Sequence, residues 1–145
     1  MAVQEEMFSS SHSWIFASLS GSPESGSTLS EIVMRADMLN RAIPNLDEIV
    51  SALETLHSHG LIKIENDLTA LTVHGQKVLA NGLARRGGLF SIIENVGKAL
   101  NSPAFDHPAI SGRADTSFLT DVAYATACNE YHQRFMSAVK SQAKK

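Results

Sequence analysis

The chain reads as mainly α-helical with one small β-hairpin, an α+β fold. Three observations carry that reading. Thr28 with Glu31, and Asn45 with Glu48, have the spacing of capping boxes, in which the two residues satisfy each other's free backbone N–H groups. Behind each cap, apolar residues recur at helical intervals. Between Leu61 and Val73 the pattern changes to two short apolar runs around Asn66-Asp67, which is hairpin chemistry.

The elements follow in order. Ser9 to Ser11 offer N-caps to a short apolar helix over 12–19, with Trp14, Ile15, Phe16 and Leu19. The GSPESGS run over 21–27 is a turn or linker by composition. Thr28 opens a helix whose Leu29, Ile32, Val33, Ala36 and Leu39 share one face at about 100° per residue. Pro44 disfavours helix at Ile43, so the chain turns there. Asn45 restarts a helix with the stripe Leu46, Ile49, Val50, Leu53 and Leu56, and Gly60 is placed to end it in the left-handed conformation. LIKIEN and LTALTV then give two strands, and Thr72 caps a helix through about Leu83.

The capped helix pair split by Ile43-Pro44 is the first of three informative places. The others are the leucine-rich helix ending in His59-Gly60-Leu61-Ile62, and the hairpin closed by Leu71-Thr72 before Gly75. Together with the helix over 12–19 they resemble a winged helix-turn-helix domain of bacterial regulator type. The resemblance covers roughly the first 80 residues, with the domain drawn at 9–84. It implies that the second helix of the pair enters the major groove of DNA. The fold carries many functions, so the resemblance specifies architecture better than activity.

Residues 85–145 lie outside that pattern and form a C-terminal helical extension, for dimerisation or for covering the core. Arg85 to Gly88 is a hinge-like loop. Leu89, Ile92, Ile93, Val96 and Leu100 make an amphipathic helix, and the proline-containing stretch over 101–115 is irregular. Thr116 caps a last helix reaching about Lys140. Its stripe holds Phe118, Val122, Ala125, Cys128, His132, Phe135, Met136 and Val139, with Tyr124 and Tyr131 beside it. From Phe118 to Val139 is about 32 Å, so part of the stripe extends past a small core and suits a two-fold dimer.

Charge bears on partners. The net charge is −3, and its distribution is uneven. The first 27 residues have three carboxylates and no base, Thr28 to Leu83 has four bases against seven acids, and the remainder has eight bases against five acids. A phosphate-binding surface concentrates its bases where it binds. Here the second helix carries Asp47, Glu48 and Glu54 and no Lys or Arg. One cysteine, Cys128, excludes an internal disulfide framework and points to a reducing, cytoplasmic setting. The chain has no apolar run long enough to span a membrane.

Two functional expectations follow. In the first, the chain is a DNA-binding transcription regulator acting as a homodimer. Asn45, Ser51 and Thr55 then contact the groove, while Arg35, Arg41 and Lys63 contact phosphate. In the second, it is a non-catalytic protein-interaction module whose acidic second helix binds no DNA. Met34 and Met38, spaced i, i+4 opposite the buried stripe, offer an adaptable contact surface unless the last helix covers them. No metal or cofactor is expected. His57 and His59 point about 200° apart on a helix and cannot share one ion. No nucleophile elbow, phosphate loop or dinucleotide fingerprint is present, so no enzyme is expected.

Overall fold

The computed structural model describes residues 7–88 and 91–143, with side chains as far as 140. Among them run six helices and one antiparallel hairpin: α1 (Ser10–Ala17), α2 (Leu29–Asn40), α3 (Leu46–Ser58), β1 (Ile62–Glu65), β2 (Leu68–Leu71), α4 (Val73–Leu83), α5 (Ile92–Leu100) and α6 (Asp121–Ala143). The mainly helical α+β class is as expected from sequence. Among the described residues, no helix is long and apolar enough to cross a membrane.

Local chemistry sets the helix boundaries. Thr28 and Asn45 make the two expected capping boxes, and Ser9 makes a third in which the His12 ring takes the reciprocal role. Helix α1 therefore starts two residues earlier than the apolar run alone suggests. Arg41 ends α2 in the left-handed region at φ 52°, ahead of the Ile43-Pro44 break. Gly60 follows α3 at φ 72°, as its place after the helix requires. The hairpin pairs Ile62 with Leu71 and Glu65 with Leu68, and Asn66 and Asp67 both take positive φ, as a tight two-residue turn demands. The 21–27 linker is more than a spacer. Ser27 bridges Thr69 on β2 through two backbone hydrogen bonds of 2.7 and 3.0 Å.

One apolar core joins these elements. Ile15, Phe16 and Leu19 meet Ile32 and Val33 of α2, Ile49, Leu53 and Leu56 of α3, and Leu61 and Val78 beyond the hairpin. Helix α5 is part of this core: Val96, Ala99 and Leu100 are buried against α1 and α4. The indole of Trp14 donates to the Ala36 carbonyl at 2.8 Å and fixes α1 against α2. Helix α5 is expected from Leu89, but that residue lies outside the described ones.

The last helix departs from the expected register in two ways. It begins at Asp121, because Thr120 accepts from the Ala123 N–H at 3.1 Å and serves as its cap. Thr116, the expected cap, instead donates its hydroxyl to Glu54 Oε1 at 3.2 Å. Its inward face is also rotated. Helix α6 packs antiparallel along α2 through Ala123, Tyr124, Ala127, Cys128 and Tyr131, while Val122 and Ala125 point outward. Two phenols set that rotation. Tyr124 donates to the Pro44 carbonyl at 2.7 Å, and Tyr131 donates to the Asp37 carboxylate.

Candidate interaction site

Two surfaces bear on function: the outward face of α3 and the distal half of α6. The α3 face carries Asp47, Glu48, Ser51, Glu54, Thr55 and Ser58. Neighbouring elements already occupy much of it. Ser11 of α1 donates to Glu48 Oε2 at 3.2 Å, and the His12 ring nitrogen Nε2 lies 3.2 Å from the Ser51 hydroxyl. On the other flank, residues 101–120 run along the helix. Thr116 engages Glu54, the Ile110 N–H donates to the Ser58 carbonyl at 2.9 Å, and Arg113 shares a hollow with Glu54 and His57.

The six residues expected to meet DNA are therefore placed unevenly. The Asn45 carboxamide accepts from the Glu48 N–H at 2.8 Å and is committed to capping. Ser51 is tied to α1, and Thr55 is half-buried. Arg35 donates to Ser27 at 2.7 Å and to Ser22 at 3.3 Å and pairs with Glu31 at 3.5 Å, so it staples α2 to the linker. Arg41 and Lys63 are exposed and belong to neither of the ion pairs among the described residues, Arg35–Glu31 and Lys98–Glu94. Among the described residues, the basic C-terminal part brings Arg113 beside Glu54 and Lys98 to a hollow that Glu48 also lines, and Lys98 is paired with Glu94. Arg134 lies close enough to Glu31 of α2 to favour its ionised form.

The residues expected at an interface divide into two sets. Tyr124, Cys128 and Tyr131 are half-buried against α2, and Phe118 is half-buried just before α6. His132, Phe135, Met136 and Val139 are exposed, with Phe135 at 55 % and Val139 at 44 %. On α2, Met34 is half-buried and Met38 is 69 % exposed, so α6 covers the pair only in part. Phe135 and His132 line a hollow of about 240 Å³ with Cys128, Tyr131, Asp37 and Ile43, which makes the apolar surface continuous from α6 to the turn after α2. Along Ala125, Cys128, His132, Phe135, Met136 and Val139 there is no Asp, Glu, Lys or Arg. Sequence reasoning missed Leu119 and Ala127, both buried. The i, i+3, i+4, i+7 spacing of Tyr124, Ala127, Cys128 and Tyr131 is the signal that finds this face.

The phenols report how firmly α6 is seated. The hydrogen bond to Asp37, with burial and the charge of that carboxylate, pushes Tyr131 up to about 12. Burial, then Cys128, raises Tyr124 above 10.0. These are the two tyrosines of the chain. An ultraviolet titration is therefore expected to show less than one phenol equivalent of tyrosinate at pH 10.0. A full phenol equivalent ionising there means that α6 is not docked on α2. Comparison with family models, with curated proteins and with solved structures found no match for the chain.

Proposed function

We propose that this chain is a non-catalytic interaction module of winged-helix type that pairs with a second copy of itself through the distal half of α6. The observation that carries the reading is the strip Ala125, Cys128, His132, Phe135, Met136 and Val139. It is uncharged, largely exposed beyond Tyr131, and continuous with Ile43. Its two ends differ in size: alanine and cysteine lie toward the start, and phenylalanine, methionine and valine toward the end. In an antiparallel pair with its two-fold axis beside His132, Val139 falls opposite Ala125 of the partner subunit. Phe135 and Met136 then fall opposite Cys128 of the partner subunit. Large against small on both halves lets two helices approach closely without voids. The strip is short, so the expected affinity is micromolar rather than nanomolar.

The winged-helix reading rests on the element order α1–α2–α3–β1–β2–α4 and on the capped helix pair. Its usual DNA-reading use is not supported by α3. That face is acidic, and two of its three intended base contacts, Asn45 and Ser51, already have partners within the chain. Carboxylates facing phosphates repel, and Arg41, Lys63 and Arg113 only balance Asp47, Glu48 and Glu54, which leaves no net positive charge for phosphate.

Titration with generic duplex DNA separates the two readings. At about 50 mM salt, a protein that neutralises even a few phosphates binds measurably. The expected result is no binding. Binding that weakens steeply with added salt, and is lost on replacing Arg41 and Lys63, overturns the proposal in favour of a DNA reader.

A further inference from the structure

Histidines far apart in sequence meet at one corner of the molecule. His59 caps the end of α3, His74 sits in the first turn of α4, and His107 lies in the segment over 101–120. The buried Phe8 ring packs edge-on against His59 at 5.2 Å and His107 at 5.4 Å, and the His12 ring lies 6.4 Å from it. Asn101 holds Phe8 in place by exchanging two hydrogen bonds with its backbone, at 3.0 and 3.1 Å.

The ring nitrogens of His107 are both used. Nε2 lies 2.7 Å from the Leu100 carbonyl oxygen, which only accepts, so Nε2 carries a proton. Nδ1 lies 2.7 Å from His74 Nε2, so one proton lies between the two rings. In the neutral pair, His74 Nε2–H donates to His107 Nδ1. One added proton fits: His107 Nδ1–H then donates to His74 Nε2, and His74 carries its remaining proton on Nδ1. A second added proton does not fit, because two N–H groups then face each other across the same 2.7 Å.

Surrounding charge adds to that conflict. The His59 ring is 6.2 Å from His107, and Lys77 on α4 acts against a positive His74. Asp106 is the carboxylate that favours a charged His74. The segment itself is lightly held. Between Ser102 and Phe118 every residue is half-buried or exposed. Besides His107, its ties to α3 and the residues after it include Phe105 edge-on to His74 at 6.4 Å, Pro108 over Gly60, the Ile110 N–H bond to Ser58, Arg113 beside Glu54 and His57, and Thr116 to Glu54. Segments that bury so little open at a small fraction of the global unfolding free energy.

We propose that the His74–His107 pair is an acid-released clasp. With at most one added proton it keeps residues 102–117 over the end of α3. A second proton forces the rings apart, and the segment leaves α3 while the core helices stay folded. The corner also favours neutral rings. Burial first, and His107 second, hold His59 and His74 below the ordinary 6.5. Because the folded values are lowered, this contribution to docking is complete above 6.5 and is lost as pH falls through the lowered values. The clasp is independent of the α6 pairing.

Amide hydrogen exchange on the whole chain tests it, comparing about pH 7.5 with about pH 5 after correction for intrinsic rates. The Ile110 amide is expected to lose at least about tenfold of its protection in acid, while amides in the middle of α3 keep theirs. His107→Gln supplies an uncharged donor to Leu100 and an acceptor for His74, and is expected to keep Ile110 protected at both pH values. Equal wild-type protection at both pH values overturns the clasp. So does loss of Ile110 together with the α3 core, or an identical loss in His107→Gln. If that variant fails to dock even at neutral pH, imidazole C–H resonances of the wild type decide. Two coupled steps, the second coinciding with Ile110 release, support the clasp; independent titrations unrelated to Ile110 release overturn it.

Discussion

Gly75→Ala is expected to destabilise the fold by about 3 kcal/mol or more, at the upper end of what overpacking costs. A Cβ at this position would stand 1.9 Å from the Leu61 carbonyl oxygen and 2.9 Å from its carbon. Neither side can yield. The Leu61 carbonyl accepts from the Thr72 N–H at 3.1 Å, and its N–H donates to Leu56 at 3.0 Å, so the peptide is held at the end of α3 and the start of α4. Gly75 is fixed as well, donating to the capping Thr72 hydroxyl at 3.0 Å. Relief requires α4 to move away from β1, which opens the core around Leu61 and Val78. Gly97→Ala is the contrast. Its Cβ would meet the Ser13 hydroxyl at 2.8 Å, a group that can rotate, and helix propensity returns about 1 kcal/mol. Thermal unfolding reads both. For a chain of this size, about 3 kcal/mol corresponds to a fall in Tm of roughly 6–12 °C for Gly75→Ala. An unchanged Tm for Gly75→Ala would show that α4 does not sit against Leu61 as described.

Phe135→Asp is expected to weaken self-association at least 30-fold, about 2 kcal/mol, while leaving the fold intact. The side chain is already 55 % exposed within one chain, so the monomer loses little. In the proposed pair it packs against small residues of the partner subunit, and a carboxylate there is desolvated without a cation on the strip to meet it. Gln133→Asp, also on an exposed part of α6, adds the same charge away from the strip and is expected to leave association unchanged. Dilution series by sedimentation distinguish the two variants. Equal effects at 133 and 135 would mean that net charge, not the strip, governs assembly.

Local chemistry made much of the fold legible in the sequence. The Thr28 and Asn45 capping boxes, the Ile43-Pro44 break, Gly60 and the Asn66-Asp67 turn each fix backbone within a few residues, and the observed α2, α3, β1, β2 and α4 follow them. Long-range contacts hid the rest. The rotation of α6 is set by Tyr124 and Tyr131, whose partners Pro44 and Asp37 lie 80 and 94 residues away. Apolar periodicity cannot weigh such bonds, so it grouped Val122 and Ala125 with Cys128 on one stripe and passed over Ala127. The 101–120 segment shows the same limit. Its prolines announce irregular structure, but its course along α3 depends on Ile110 finding Ser58 and Thr116 finding Glu54. The histidine corner was hidden for the same reason: Ser58 separates His57 from His59 and invites a local reading, whereas the ring partners of His59 are Phe8, ahead of α1, and His107, beyond α5.

The absolute mass of the unmodified chain in solution bears most directly on the proposed α6 pairing. Static light scattering is run from low micromolar to roughly 100 µM, a range that spans the expected micromolar dissociation constant. The mass should rise with concentration toward twice the 15.6 kDa of one chain. A mass that stays at 15.6 kDa across the whole range contradicts self-association through α6.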